Sequence, residues 1–454
     1  MMSEQKIKQQ RMMLVTLESL MPENHFLRSL EKLIKMDFIY DSVRELYSKK
    51  GRPSIDPVVL MKMLLLGYLY GIDSERKLEQ EIKVNIAYRW YLGIDLEDKV
   101  PDHSTISQNR RRRYKGSTVF EDIFLRVVQQ CVDLGLVTGQ AIAMDSTHVR
   151  ANANDNNYET VMVAGTPREY LKKIEEEVQA KEQVMYSEKS KSGPKPKEKP
   201  VKIHEEKQST TDPDCRFLGR TGKPKGFHYL FHQSADIGKG IITDVHVTAG
   251  NRLDHECCVE RVQKQINVGL PIQEFAGDKG YDVVEIHHML SELGISVFTP
   301  KSLAHEGNRR NAITVDQFIF DKDENVYHCP GGGKLKFSYY SREDENIYSI
   351  YRSSTPKCRD CPLRPNCFAS SMKYRKIKRT YGTKYVEASR ELLGTDRHKY
   401  LQRRRRVICE GNFANMKDNG NLRRIRKRGI DNAKEHCLLC AIALNLKKMV
   451  KAVG

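Results

Sequence analysis

GQAIAMDS, residues 139–146, is where the chain changes period. Upstream, apolar residues recur every three to four positions; here a short apolar run ends on Asp145, and strand patterns follow. FHYLFHQSAD and KGIITDVHVTAG read as two strands joined at Ile237-Gly238 as a hairpin. EFAGDKG is a further strand, DVVEIHHMLSELG a helix and ISVFTP another strand, so residues 137–300 read as a mixed α/β sheet. Asp282 stands where a cap for that helix belongs. From about Asn154 to Lys225 the chain is polar, with SEKSKSGPKPKEKPVK at its centre, and reads as a flexible insertion at 154–225.

Residues 1–136 read as helical. Asp56-Pro57 is a helix start, an N-cap followed by Pro, and opens the run PVVLMKMLLLGYLYGI. That run is shorter than a bilayer span and carries Lys62, and the first thirteen residues hold no hydrophobic signal core. A cytoplasmic chain with no membrane partner is the expectation. Ser104 is the expected cap of a short basic helix in DHSTISQNRRRRYKG, and TVFEDIFLRVVQQCVDLGL is amphipathic. Short helices and turns of this kind fit either a helix-turn-helix-like DNA-binding module or a plain bundle.

Net charge is +18, and residues 372–454 alone carry +16 of it. A one-ended excess of this size points to a polyanion, nucleic acid first. Two basic blocks stand out: Arg403, Arg404, Arg405 and Arg406, then Arg423, Arg424, Arg426, Lys427 and Arg428. Between them lies Glu410. Asp145 and Asp278 occupy strand ends, where side chains of an open α/β sheet project into a crevice. If a helix carrying Glu410 packs on that sheet, three acids converge, an arrangement a divalent cation makes tolerable. Hard oxygen ligands suit Mg²⁺ or Mn²⁺, and two ions about 3.5–4 Å apart activate one oxygen and stabilise another during in-line phosphoryl transfer. The bland alternatives are turn or cap roles for the aspartates and an i,i+4 pair of Glu410 with Arg406. Lys279 and Lys417 are either DNA contacts or solvated surface.

Cys329 precedes Cys358, Cys361 and Cys367 in CRDCPLRPNC, and the C-x2-C-x5-C spacing plus one distant thiol supplies the four ligands of a closed structural Zn²⁺ site. An iron–sulfur cluster is the competitor and four free thiols the bland alternative. The insertion at 301–379 would be stapled by it. Cys437 and Cys440 in HCLLCAIALNL read as core residues of an apolar helix face. PGGGK fails the phosphate-loop pattern, which excludes ATP binding by that route.

AMDSTHVRANAN, FAGDKGYD and RVICEGNFANMKDNGNLRRIRKRG, in that order, resemble the three acidic signatures of bacterial insertion-sequence transposases of the DDE type. The resemblance is closest to the 1182 group within the Tyr-Arg-Glu-Lys class, whose last motif is spaced Y-x2-R-x3-E-x6-K. Arg406, Glu410 and Lys417 fit that spacing; Arg403 stands in the tyrosine place, with Tyr400 three residues upstream. VTAGNRLDHE looks like the family's loop after the third strand. The resemblance implies an RNase H-like catalytic fold over 137–300 and 380–454, with Asp145, Asp278 and Glu410 as metal ligands. It implies an N-terminal DNA-binding domain, terminal inverted repeats and target DNA as double-stranded partners, a nucleoid-associated location and at least a dimer on DNA. The alternatives are an RNase H-like nuclease or resolvase that does not join strands, and an inactive DNA-binding descendant.

Overall fold

The computed structural model describes residues 14–48, 50–51, 54–164, 169–187, 203–219, 222, 224–301, 313–343 and 346–453. Helices come first: α1 (Leu17–Leu20), α2 (Phe26–Leu33), α3 (Phe38–Val43), α4 (Pro57–Leu69), α5 (Glu75–Val84), α6 (Ile86–Leu92), α7 (His103–Gln108) and α8 (Val119–Asp133). α4 opens as its sequence dictates, with the Asp56 carboxylate accepting from the N–H groups of Val58 and Val59 at 2.7 and 3.3 Å. Nearly every side chain from Leu60 to Leu69 is buried, because neighbouring helices cover α4 on several sides. α7 departs from expectation: Asp102 caps it by accepting from Ser104 N–H at 2.7 Å, and Ser104 already lies inside the helix.

The sheet follows, built from β1 (Ala141–Arg150), β2 (Tyr158–Ala164), β3 (Ile203–Ser209), β4 (Arg216–Leu218), β5 (Gly226–Asp236), β6 (Ile242–Ala249), β7 (Glu274–Ala276) and β8 (Ser296–Phe298). Helix α9 (Glu169–Ser187) lies between β2 and β3, α10 (Cys258–Asn267) between β6 and β7, and α11 (Val284–Glu292) between β7 and β8. The core order is β6-β5-β1-β7-β8. β6, β5 and β1 pair antiparallel, and β1, β7 and β8 pair parallel. The β5–β6 hairpin turns at Ile237-Gly238 as its sequence predicts.

The flexible insertion expected over 154–225 is corrected for most of its length. β2 and β3 form a seven-residue antiparallel ladder, and β4 joins them to β5. The apolar stripe Tyr170, Ile174 and Val178 of α9 packs on Ile347, and Arg342 pairs with Glu175 and Glu182 at 2.8 Å each. Polar composition hid this order, since strand pairing and ion pairs hold these elements together with a short apolar stripe. The Pro/Lys-rich centre, residues 188–202, lies outside the described residues.

A second sheet with the order β13-β12-β11-β10-β9 fills the cysteine-bearing insertion. Its strands are β9 (Ile319–Asp321), β10 (Val326–His328), β11 (Lys334–Glu343), β12 (Asn346–Ser353) and β13 (Lys376–Thr380), with the short helices α12 (Thr355–Arg359) and α13 (Arg364–Cys367) after β12. Its own small core is Phe318, Tyr327, Leu335, Tyr351 and Ile377.

α14 (Thr383–Arg390), α15 (Asp396–Asp418) and α16 (Ile430–Val453) complete the fold. Cys437 and Cys440 are buried in α16, as read from the sequence. α16 also holds the N-terminal helices: Arg110, itself buried, donates to Glu435 and, at 2.8 Å, to Glu75. Asp282 does not cap α11; Val283 takes that position. The buried Asp282 carboxylate instead accepts from Arg390 of α14 at 2.6 and 2.7 Å and meets His287 Nε2 at 2.9 Å. A half-buried guanidinium outcompetes the helix end for this buried carboxylate. Among the described residues no helix is long and apolar enough to cross a membrane.

Candidate active site

β1 and β7 set the frame. Their parallel pairing ends at Ala143 opposite Ala276, and Asp145 and Asp278 each follow two residues later. Asp145 lies within β1, which runs on to Arg150, and Asp278 lies two residues past the end of β7, near enough that its charge raises the Asp145 carboxyl. β7 ends at Ala276 and the chain turns sharply, with Asp278 Oδ1 accepting from Gly280 N–H at 2.8 Å.

Helix α15 crosses this frame. Gln402 Nε2 donates to the carbonyls of Gly277 and Phe298 at 3.1 and 2.7 Å, tying the helix beside Asp278. Arg405 Nη1 donates to Asp145 Oδ2 at 2.8 Å, and Lys417 Nζ donates to Thr147 Oγ1 at 2.6 Å. Phe413 meets Phe231 edge to face beneath them, with ring centroids 5.9 Å apart. Glu410 precedes Lys417 by seven residues, almost two full turns, and so shares the flank that reaches β1. Its side chain is exposed and makes no ion pair among the described residues, so the i,i+4 pair with Arg406 is not formed.

Burial holds the Asp145 carboxyl up, to about 6. Arg405 and the Ser146 N–H pull it down, while Asp278 and Asp254 push it further up. Asp254 is the residue the sequence reading missed: it lies in the β6–α10 loop, and its Oδ1 accepts from Ser146 Oγ at 2.5 Å. The only signal was the resemblance of VTAGNRLDHE to a family loop, in which no role was given to its acid.

The predicted acids are not drawn into a closed set. Among the described residues, groups of at least three acid or histidine ligands with all donor atoms within 4.8 Å lie elsewhere, at Glu79/Asp102/His103, Glu177/His288/Glu292 and Asp321/Glu324/His328. The cysteines likewise fall short of that spacing, although Cys329, Cys358, Cys361 and Cys367 line one small cavity. A Cβ placed on Gly331 would lie 3.1 Å from Cys361 Sγ and 3.6 Å from Cys329 Sγ, so glycine leaves room for both thiols. Gly331 N–H donates to Cys329 Sγ at 3.2 Å.

The basic residues divide. Arg403, Arg406, Arg423, Arg424, Arg426 and Arg428 are exposed, as is Lys279. Arg404 is spent on the β5–β6 turn, donating to the Ile237 carbonyl at 2.9 Å. Lys427 faces Glu435 at 3.8 Å, and burial lowers its ammonium to about 8. Residues 423–425 run beside the end of β1, with Ile425 N–H donating to the Arg150 carbonyl at 2.9 Å. A cleft of about 870 Å³ opens next to this segment, lined by Arg111, Lys115 and Arg428 among others.

Residues 15–112 match the family described as Transposase domain (DUF772), and residues 328–450 match the family described as Transposase DDE domain. Both matched families are transposase domains, and together they support an insertion-sequence DDE transposase. The second match runs through the cysteine cavity, Glu410 and most of α16. No curated protein matches this transposase. Among solved structures it is similar to the piggyBac transposase in a synaptic complex with hairpin DNA, at 8% identity and a TM-score of 0.37 over 94% of this chain and 75% of that one. A likeness that slight fixes no element of the transposase fold.

Proposed function

We propose that the transposase binds the terminal inverted repeats of its element, hydrolyses the phosphodiester at the element's end, and directs the freed 3′ hydroxyl at target DNA. The nearness of Asp145 on β1 to Asp278, just past the end of the parallel-paired β7, carries this reading. The β6-β5-β1-β7-β8 order supports the RNase H-like assignment, and the spacing of Arg406, Glu410 and Lys417 supports the 1182 group.

The residues fit a hard divalent cation. Asp145 is largely buried yet bears charge, and the counter-ion at hand is Arg405, whose Nε is buried without a partner. A guanidinium held by one arm at a carboxylate is a cation in a place that Mg²⁺ or Mn²⁺ can take. Asp145, Asp278 and Glu410 would hold two such ions, which when bound supply an activated oxygen and stabilise the leaving one. The chain's own part is to position: β1 and β7 fix two acids, and α15 brings the third along with Lys417. Arg403, Arg406 and the exposed cations of 423–428 grip the phosphate backbone, and the N-terminal helices read the repeat. The four cysteines hold a structural Zn²⁺ that staples the second sheet. At least two protomers bring two ends together at the nucleoid.

A strand-transfer assay on paired repeat ends tests the proposal. Joined products with Mg²⁺, lost in Asp278→Asn while repeat binding persists, are expected. Cleavage surviving in that variant refutes the acid assignment, and cleavage without joining refutes transposition in favour of a nuclease.

A further inference from the structure

DVVEIHHMLSELG carries two adjacent histidines, and transposition as proposed uses neither. α11 sends them different ways. His287 meets Asp282 and Ser389 at 2.9 Å each, whereas His288 turns toward α9. Glu292 follows His288 by four residues, so both stand on one face of α11. Glu177 of α9 completes a group whose donor atoms all lie within 4.8 Å of one another.

His288 is the residue that points to an ion. Its ring is only 1% exposed. Tyr170 Oη meets Nδ1 at 3.1 Å, and Tyr385 stacks on the ring with centroids 4.1 Å apart. Nε2 is thereby aimed at Glu292 Oε1, 3.2 Å away, yet it lies out of line for a hydrogen bond and has no hydrogen-bond partner. A buried nitrogen in that condition is rare and calls for a bound group. Two ligands of one tetrahedral Zn²⁺, with bonds of about 2.0–2.1 Å, stand about 3.3 Å apart, which is the separation found. Burial lowers the His288 pKa and so keeps the ring in the neutral form that ligates metal. The carboxylates are steadied from outside. Lys173 takes Oε2 of Glu292, leaving Oε1 to face the ring, and Tyr381 donates to Glu177 Oε2 at 2.9 Å. Metal-ligating carboxylates are held by outer hydrogen bonds of this kind.

We infer that Glu177, His288 and Glu292 form a Zn²⁺ site, separate from the acids of β1 and β7 and from the four cysteines, which staples α9 to α11. One nitrogen and two carboxylate oxygens are ordinary zinc ligands, and water takes the fourth position. α11 begins at Val284, six residues after Asp278, so the staple steadies the segment that follows the candidate active site.

Zinc uptake by the full chain, measured by equilibrium dialysis and elemental analysis, tests the inference. Glu177→Gln keeps an oxygen for Tyr381 but removes the charge. It should bind one zinc fewer per chain than the wild type, or bind it at least about tenfold more weakly. Wild-type uptake in folded Glu177→Gln overturns the inference. Glu292→Gln covers the case of a poorly folded first variant: the same loss supports the site and unchanged uptake overturns it. The loss should persist when Cys361→Ser is also present; a loss that disappears in that background belongs to the cysteines and overturns the inference. Zinc should slow hydrogen exchange in α9 of the wild type, and equal exchange with and without zinc overturns the staple.

Discussion

Arg405 and Asp145 form an ion pair at 2.8 Å, with the two side chains only 11% and 19% exposed. A helix thereby places a cation on the carboxylate that the family resemblance assigns to metal. Removing the guanidinium leaves Asp145 buried and uncompensated. Because the pair is not fully dry, Arg405→Ala should cost about 1–3 kcal/mol of stability without metal. Mg²⁺ should then raise the melting temperature more in the variant than in the wild type. Equal responses to Mg²⁺ would mean the arginine and the ion do not compete.

Acidity gives a second test. Burial holds Asp145 at about 6 when folded, above the ordinary aspartate value of 3.8. A raised carboxyl contributes stability that is fully present below the unfolded value and is lost as pH rises through the folded one. Stability of the DNA-free protein should therefore fall between about pH 4 and pH 6 from this group. Over that interval Mn²⁺ affinity should climb by up to about tenfold per pH unit, since binding must displace the proton. Asp145→Asn should flatten both profiles, which melting curves and Mn²⁺ titrations from pH 4 to 7 will show.

The cysteines can be counted chemically. Seven of the eleven are buried free thiols, and the four that are not are Cys329, Cys358, Cys361 and Cys367. With Zn²⁺ bound, a thiol reagent should find none of the four under native conditions; after chelation it should find all of them. Cys361→Ser should lower zinc content and melt the second sheet while the main sheet stays folded, as hydrogen exchange would report. Four reactive thiols before chelation would refute the zinc staple.

Neighbouring arginines should behave differently. Arg406 is exposed, so Arg406→Ala should reduce the slope of log affinity against log salt by about 0.9 with little change in stability. Arg404 binds the β5–β6 turn, so Arg404→Ala should lower stability and leave the slope near its wild-type value. Identical effects from both would mean the division between gripping and bracing residues is wrong.

Local chemistry was legible in the sequence, and long-range pairing was not. Asp56-Pro57 announced α4, the apolar run of residues 139–144 announced β1, and Cys437 and Cys440 announced a buried helix face, because each is decided by near neighbours. Asp145 was read as a strand end but lies midway along β1, and Asp278 lies two residues past the end of β7; their nearness depends on the pairing of those two strands. What escaped reading was decided across the chain. Asp282 was claimed by Arg390, Asp145 by Arg405, and Asp254 by Ser146, through folding that brings distant segments together. The β2–β3 ladder escaped because Glu205, Glu206 and Lys207, which look solvated in a list of letters, face Met162, Val161 and Thr160 across the strands.

On DNA, the proposed site has Asp145 of β1, Asp278 after β7 and Glu410 of α15 sharing divalent ions. The structure of the transposase on a repeat end with Mn²⁺, with the ions located by anomalous scattering, measures this directly. Carboxylate oxygens of Asp145, Asp278 and Glu410 within about 2.0–2.3 Å of the ions are predicted. Ions bound elsewhere, or a Glu410 carboxylate remote from both aspartates with DNA in place, would contradict it.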